Sequence, residues 1–252
     1  MSSPLALFSR CLWDESELIL VVGRVAPLLE SRRIYESRHH IAEPEQDLSE
    51  ARDRMLAACG LAAVSLADRE SWGWSLSFPG SAHGFFCGVE PEGMLCSLVK
   101  PSSKDMASAV VQRQKPDSPL TQSHFTPQTD DPVRAVERYF HECEQAPVRI
   151  ELHDDFAVFA RPLPGGSLNA LAAFSPQEFV ERCRTLVESG AARKLQDVVL
   201  FYECRCNDEM ILDMITRLPA SQQRELWGDQ LSLHIQCPRC GRTYMLHRAG
   251  RG

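Results

Sequence analysis

Four cysteines, Cys204 and Cys206 followed after residues 207–236 by Cys237 and Cys240, constrain this chain more than any other feature. Two close pairs of soft thiolate donors a few tens of residues apart close a tetrahedral zinc site, each pair forming one jaw. The second pair reads Cys237-Pro238-Arg239-Cys240-Gly241. Its glycine stands where a metal knuckle bends the backbone through positive φ, a conformation that a Cβ disfavours. The first pair, Cys204-Arg205-Cys206, is a rarer form that lacks the two-residue turn and brings its sulfurs together along an extended backbone.

A tail of this size cannot stabilise itself by burial, since cores so small contribute only about 3 to 5 kcal/mol. A structural zinc contributes about 10 to 16 kcal/mol of apparent folding energy at neutral pH. The metal therefore decides whether the tail is folded. Zinc-bound thiolates stay nucleophilic, and peroxide turns one into a sulfenic acid that condenses with a neighbouring thiol. Cys204 with Cys206, and Cys237 with Cys240, could each close locally in this way, and losing two thiolates would expel the metal and unfold the tail. A permanent zinc staple is the other use of the same motif.

At 252 residues, with 44% hydrophobic and 24% charged side chains, the chain has enough apolar surface for one sizeable core and a small appended domain. A net charge of -7 argues against a general nucleic-acid binder, which needs a basic face. Past Asp229 there is no acid, but Arg239, Arg242, Arg248 and Arg251 form only a short solvated tail. Ten cysteines would suit a secreted protein, yet Met1 to Trp13 lacks the apolar run of a signal peptide, so the reducing cytoplasm is the expected compartment. Cys11, Cys59, Cys87, Cys96 and Cys183 lie in apolar or helical contexts and are expected to pack as small hydrophobes. The longest apolar run, Leu18 to Val22, is strand-sized, so no membrane contact is expected.

Asp47-Leu48-Ser49-Glu50 has the capping-box pattern, followed by Leu48, Ala51, Met55, Ala58, Ala62 and Leu66 at helical spacing. Trp72, Trp74, Leu76 and Phe78 alternate with small residues, and Gly84 to Val89 and Met94 to Val99 continue an antiparallel meander. A polar stretch, Gln112 to Asp131, ends where Asp131 caps and Pro132 opens a helix bearing Val133, Val136, Phe140 and Cys143 on one face. A hairpin across Asp154-Asp155 follows. Ser175-Pro176-Gln177-Glu178 opens a second helix that ends near Gly190, and a charged connector, Arg193 to Asp197, leads to the first cysteine pair. Met210, Ile211, Met214, Ile215 and Leu218 then repeat at helical spacing before an alternating strand, Leu231, Leu233, Ile235. The expected fold is α+β: a mixed N-terminal domain of antiparallel strands and packed helices over residues 1–174, a helical linker over 175–200, and a four-cysteine zinc domain over 201–252.

The cysteine spacing, with Phe201-Tyr202-Glu203 before it and Gly241-Arg242-Thr243-Tyr244 after it, resembles the zinc domain of the redox-regulated holdase chaperones, the thirty-three-kilodalton heat-shock protein family. The similarity extends through Gln122-Ser123 and Tyr139-Phe140-His141-Glu142-Cys143-Glu144-Gln145-Ala146-Pro147, and more diffusely to the Trp72 meander, as in a divergent member with a short linker. It implies that Cys204, Cys206, Cys237 and Cys240 are at once the ligands of one Zn2+ and a redox switch, forming Cys204-Cys206 and Cys237-Cys240 disulfides when oxidised. It further implies a quiet reduced monomer that, once oxidised, dimerises and holds unfolded client proteins without ATP under oxidative and heat stress. Cys143, where the family has Ser, is expected to be buried.

His39-His40 and His141-Glu142-Cys143 lack partners at metal or nucleophile spacing, Asp154-Asp155 reads as a turn, and Gly165-Gly166 lacks the rest of a phosphate loop. No catalytic constellation stands out, so the protein is not expected to be an enzyme. The rival reading is a constitutive zinc-ribbon interaction module docking on protein or nucleic acid. A thiol oxidoreductase is disfavoured, because its Cys-x-x-Cys would open a helix after a strand.

Overall fold

The computed structural model describes residues 4–66, 70–105 and 107–248; Arg251 of the basic tail and the first residues of the Met1 to Trp13 segment lie outside them. The chain opens with β1 (Ala6–Trp13) and β2 (Leu18–Arg24), then two helices, α1 (Ala26–Arg38) and α2 (Gln46–Val64). Five strands follow: β3 (Ser71–Ser77), β4 (His83–Val89), β5 (Met94–Pro101), β6 (Ser108–Gln114) and β7 (Thr121–Phe125). Helix α3 (Pro132–Glu142) leads to the hairpin of β8 (Arg149–His153) and β9 (Phe156–Pro162). A short α4 (Asn169–Ala172) and α5 (Pro176–Glu188) precede β10 (Arg193–Tyr202). The tail holds α6 (Asp208–Thr216), α7 (Ala220–Trp227), β11 (Ser232–Gln236) and β12 (Thr243–His247). This is the expected α+β architecture.

Ten strands form one sheet in the order β7-β6-β3-β4-β5-β10-β1-β2-β9-β8. The Trp72 meander is there as read: Trp72, Trp74 and Leu76 are buried, and β3 pairs antiparallel with β4 and β4 with β5. The run Leu18 to Val22 is apolar throughout because both faces of β2 are covered. Val21 joins the large core under α2 and α3, whereas Leu18, Leu20 and Val22 join a second core under α5. A strand buried on both sides loses the polar alternation of a half-exposed one.

Several sequence expectations need correction. The charged connector at Arg193 is instead β10, a central strand antiparallel to β1 and parallel to β5, so the main sheet runs on to Tyr202 and only Pro176–Glu188 of the expected linker is helix. Its first seven residues are mostly exposed, and Lys194 pairs with Asp197 while Arg193 pairs with Asp14, which hides the period of the strand. The polar stretch from Gln112 contains β7, an edge strand whose side chains point largely to water. The predicted capping box at Asp47 does not form, because α2 already starts at Gln46 and Ser49 donates to Glu43 instead. Cys143 is only partly buried, at the C-cap of α3.

Other details agree. Asp131 caps α3 by accepting the Val133 N–H at 2.9 Å. Ser175 and Glu178 form the reciprocal capping box of α5, which lies on the sheet through Phe179, Cys183 and Leu186. Cys11, Cys59, Cys87, Cys96 and Cys183 are all buried, and burial pushes the Cys183 thiol up to about 12. Asp154 turns the β8–β9 hairpin at φ +51°, and Asp155 accepts the Ala26 N–H at 2.7 Å, fixing the start of α1.

Helix α1 shows little hydrophobic period because its inward face carries ions. Arg32 and Glu36 are buried beside Arg52, with Arg52 to Glu36 at 2.8 Å and Arg32 to Asp53 at 2.8 Å. Removing one partner of such a set would leave an uncompensated buried charge, a loss of about 3 to 5 kcal/mol. The network therefore pins α1 against α2.

Strand β10 also depends on one glycine. Gly93 has φ +89°, its carbonyl accepts the Phe201 N–H at 3.0 Å, and a Cβ there would stand 2.0 Å from the carbonyl oxygen of Val199. Gly93→Ala is expected to lower stability by about 2 kcal/mol or more. A urea midpoint that falls at unchanged slope would register it; an unchanged midpoint would show that β10 does not need this approach.

Candidate metal centre

Each half of the site hangs from a different element. Strand β10 delivers the first pair: it pairs with β5 through Phe201↔Met94 and Tyr202↔Leu95, and the Glu203 N–H continues the ladder to the Leu95 carbonyl at 2.9 Å. Tyr202 is fully buried, its hydroxyl donates to the Ser97 carbonyl at 2.9 Å and its backbone N–H donates to the Ser31 hydroxyl at 3.0 Å. Cys204 thus leaves the sheet on a fixed stalk. The second pair sits in the loop of the β11–β12 hairpin, whose ladder ends at Gln236↔Thr243. Inside that loop the Cys237 N–H bonds the Arg242 carbonyl at 2.8 Å and the Gly241 N–H bonds the Cys237 carbonyl at 3.0 Å. Gly241 adopts φ +80°, as the knuckle reading requires.

The structure brings Cys204, Cys237 and Cys240 together, all buried, with their sulfurs within 4.8 Å of one another. Cys204 and Cys237 are 3.9 Å apart. With Zn–S bonds of about 2.3 Å the edge of a thiolate tetrahedron is about 3.8 Å, so this spacing and donor chemistry fit a soft divalent ion such as zinc. Cys206 lies outside that group of three and is partly exposed, although it is close enough to Cys237 to interact with it. Its carbonyl accepts from Tyr244 Oη at 2.5 Å. Among the described residues no other group of His, Cys, Asp or Glu gathers in this way, and His39, His40, His141 and Asp154 stand apart from it.

Sulfurs packed this closely cannot all be anionic without a cation. Hydrogen bonds from Cys204 and Cys240, and the Arg239 N–H at 3.4 Å, hold Cys237 far below the usual thiol value. Hydrogen bonding to Cys237 pushes Cys204 up, bonding to Cys204 and Cys237 pushes Cys240 up, and burial raises Cys206. The sulfurs thus oppose one another's ionisation. A bound metal would supply the positive charge that allows the others to ionise.

Three contacts outside the cysteines hold the centre against the main sheet, and two of the partners, Tyr35 and Glu90, carry no signal in the spacing of the chain. Tyr35 of α1 is buried, with its hydroxyl 3.4 Å from Cys240 Sγ and burial pushing its own pKa up, so it stays neutral and can donate to the sulfur. Glu90, buried after β4, takes Arg239 from the knuckle and Arg205, at 3.2 Å, from the first pair. Arg239 also lies 6.0 Å from the Phe86 ring centroid. Arg242 lies over Tyr244 at 4.5 Å and Arg248 over Trp227 at 5.9 Å, so these two arginines fold back on the protein itself.

Tyr35→Phe removes one hydrogen bond to a ligand sulfur, worth about 0.5 to 1.5 kcal/mol. Metal affinity measured against a competing chelator is expected to fall by a factor of about 2 to 10. Unchanged affinity would show that the hydroxyl does not orient Cys240.

The model of a protein family described as Hsp33 protein matches residues 28–247. Among solved structures, the 33 kDa chaperonin (heat shock protein 33 homologue) of Thermotoga maritima is similar in fold, with a TM-score of 0.63 at 13% identity over 98% of this chain and 95% of that one. No curated protein matches.

Proposed function

The chain belongs to the Hsp33 protein family, a family of chaperones, and we propose that it is a redox-regulated holdase that works without ATP. Reduced and metal-loaded, it is quiet. Oxidation of Cys204, Cys206, Cys237 and Cys240 releases Zn2+, unfolds the tail and lets the protein bind unfolding clients, with dimerisation in the oxidised state. The oxidised pairs are Cys204-Cys206 and Cys237-Cys240. The working compartment is a reducing one, the cytoplasm. Among the described residues no helix is long and apolar enough to cross a membrane.

The observation that carries this reading is the convergence of three buried sulfurs with Tyr35 and Glu90 of the main body. A metal ion bound there supplies folding energy to the tail by holding thiolates together. Cys206 completes the donor set, being two residues from Cys204 and within reach of Cys237, and its partial exposure makes it the sulfur an oxidant meets first. When the sulfurs are oxidised, Cys240 no longer receives Tyr35, and Arg239 no longer has a fixed position against Glu90. The tail has little else to hold it: on α6 only Ile215 is buried, and Met214 is 64% exposed. The same methionine-rich helix becomes apolar surface for a client once the knuckle opens.

The interaction-module reading is less well supported, because Arg205 and Arg239 are engaged by Glu90, and Arg242 and Arg248 by aromatic rings. Adding peroxide with mild heat to the reduced, zinc-loaded protein beside an unfolding client is expected to release zinc and keep the client soluble, with reductant plus zinc reversing both. Zinc that stays bound, or leaves with no gain in holding, would make the site a staple.

A further inference from the structure

Each cysteine pair encloses an arginine, Arg205 in the first and Arg239 in the second, and both arginines end on one carboxylate. Arg205 Nη1 donates to Glu90 Oε2 at 3.2 Å and Arg239 Nη2 donates to Oε1, so each arm has its own oxygen. Glu90 is only 6% exposed and is held by the main body. Its N–H bonds the Met94 carbonyl at 2.8 Å, its carbonyl accepts the Gly93 N–H at 3.0 Å, and Ser71 Oγ donates to Oε2 at 3.3 Å. Gly88 leaves room for one arm, since a Cβ there would stand 2.7 Å from Arg239 Nη2. The arms also reach the sulfurs. Arg239 grips Glu90 with its side chain and gives its backbone N–H to Cys237 Sγ at 3.4 Å, while Arg205 is bonded directly to Cys204 and Cys206 on either side. An exposed ion pair contributes little, but this carboxylate lies out of water and would be left unpaired without its arginines.

We infer that Glu90 is a positioning residue for the metal centre: one carboxylate of the main body sets the two cysteine pairs against each other, and each disulfide formed there bends the chain beneath one of its arms. The inference rests on the redox reading of the four tail cysteines. Residues 207–236 separate the pairs, so a free tail would have to close that loop each time it gathers its sulfurs. With both arginines on Glu90 the loop is already closed, and metal binding has less order to impose. The same joint carries oxidation back to the sheet. A Cys204–Cys206 bond closes a ring that contains Arg205, and a Cys237–Cys240 bond closes one that contains Pro238 and Arg239. Each bond consumes two thiols and one hydrogen peroxide and gives one disulfide and two waters. Either ring re-bends the backbone from which an arm extends, so both oxidations are read by a single carboxylate at the β4–β5 turn.

Zinc affinity of the reduced full chain is measured against a competing chelator in the wild type, Glu90→Gln, Arg205→Ala and the double variant. Trypsin cleavage after Arg205 and Arg239 is timed on the zinc-loaded forms, because an arginine held on Glu90 cannot enter the protease. Glutamine keeps the size of the side chain but offers one acceptor oxygen where glutamate offers two. Glu90→Gln is expected to lower zinc affinity by about 10-fold or more. Both cleavages speed up several-fold, and a metallochromic dye records zinc release at a several-fold lower dose of peroxide. Arg205→Ala, which removes a side chain that is 56% exposed, lowers affinity by itself and adds nothing to Glu90→Gln. Unchanged affinity in Glu90→Gln and Arg205→Ala overturns the inference, and so do losses that simply add in the double variant. Zinc that stays bound to the oxidised wild type overturns the redox reading instead, and the affinity series still decides the role of Glu90.

Discussion

Buried thiolates repel one another, and the tail is arranged around that fact. Three buried sulfurs lie within 4.8 Å of one another, and the hydrogen bonds that hold Cys237 low do so by pushing Cys204 and Cys240 up. Everything else in the tail is too slight to force such groups together. The tail core amounts to Ile215, Trp227, Leu233, Tyr244 and Leu246, beside several large apolar side chains left in water. An ion of opposite charge would turn the same repulsion into cohesion and so couple metal occupancy to tail folding.

That equilibrium reaches the main body because the centre is bolted to it from three sides. Strand β10 supplies Cys204 directly from the sheet, α1 supplies Tyr35, and the end of β4 supplies Glu90. Helix α1 is in turn locked by the buried Arg32, Glu36 and Arg52 network, so the tyrosine is presented by a rigid support. A sulfur that shifts by an ångström therefore loses a partner instead of dragging it along.

The gathering of Cys204, Cys237 and Cys240 was legible in the sequence because metal ligation would demand particular residue types at a particular spacing, and Gly241 has the conformation that a knuckle needs, whereas Cys206 lies outside that group of three. Local capping was legible where the side chains had no better partner, as at Ser175 and Asp131, and misleading at Asp47, where the helix started earlier. Strand β10 was hidden because its charged residues pair along and across the strand in place of alternating with apolar ones. Helix α1 was hidden because its buried face is ionic, and a hydrophobic period cannot report a core made of arginine and glutamate. Glu90 and Tyr35 could not have been found from spacing, since they meet the cysteines only through tertiary packing.

The central place of β10 bears on how the chain is made. Its contacts with β1 join residues such as Ser9 and Asp197, separated by 188 positions in sequence. Until the ribosome has released that strand, β1 and β5 are both open edges in the middle of an unfinished sheet, each able to pair with a wrong partner. Closure of the sheet must therefore come late and slowly, paced by a non-local strand that arrives only with the last quarter of the polypeptide. The cysteines emerge just after it, so a nascent chain cannot assemble its metal centre before the surface that seats it exists.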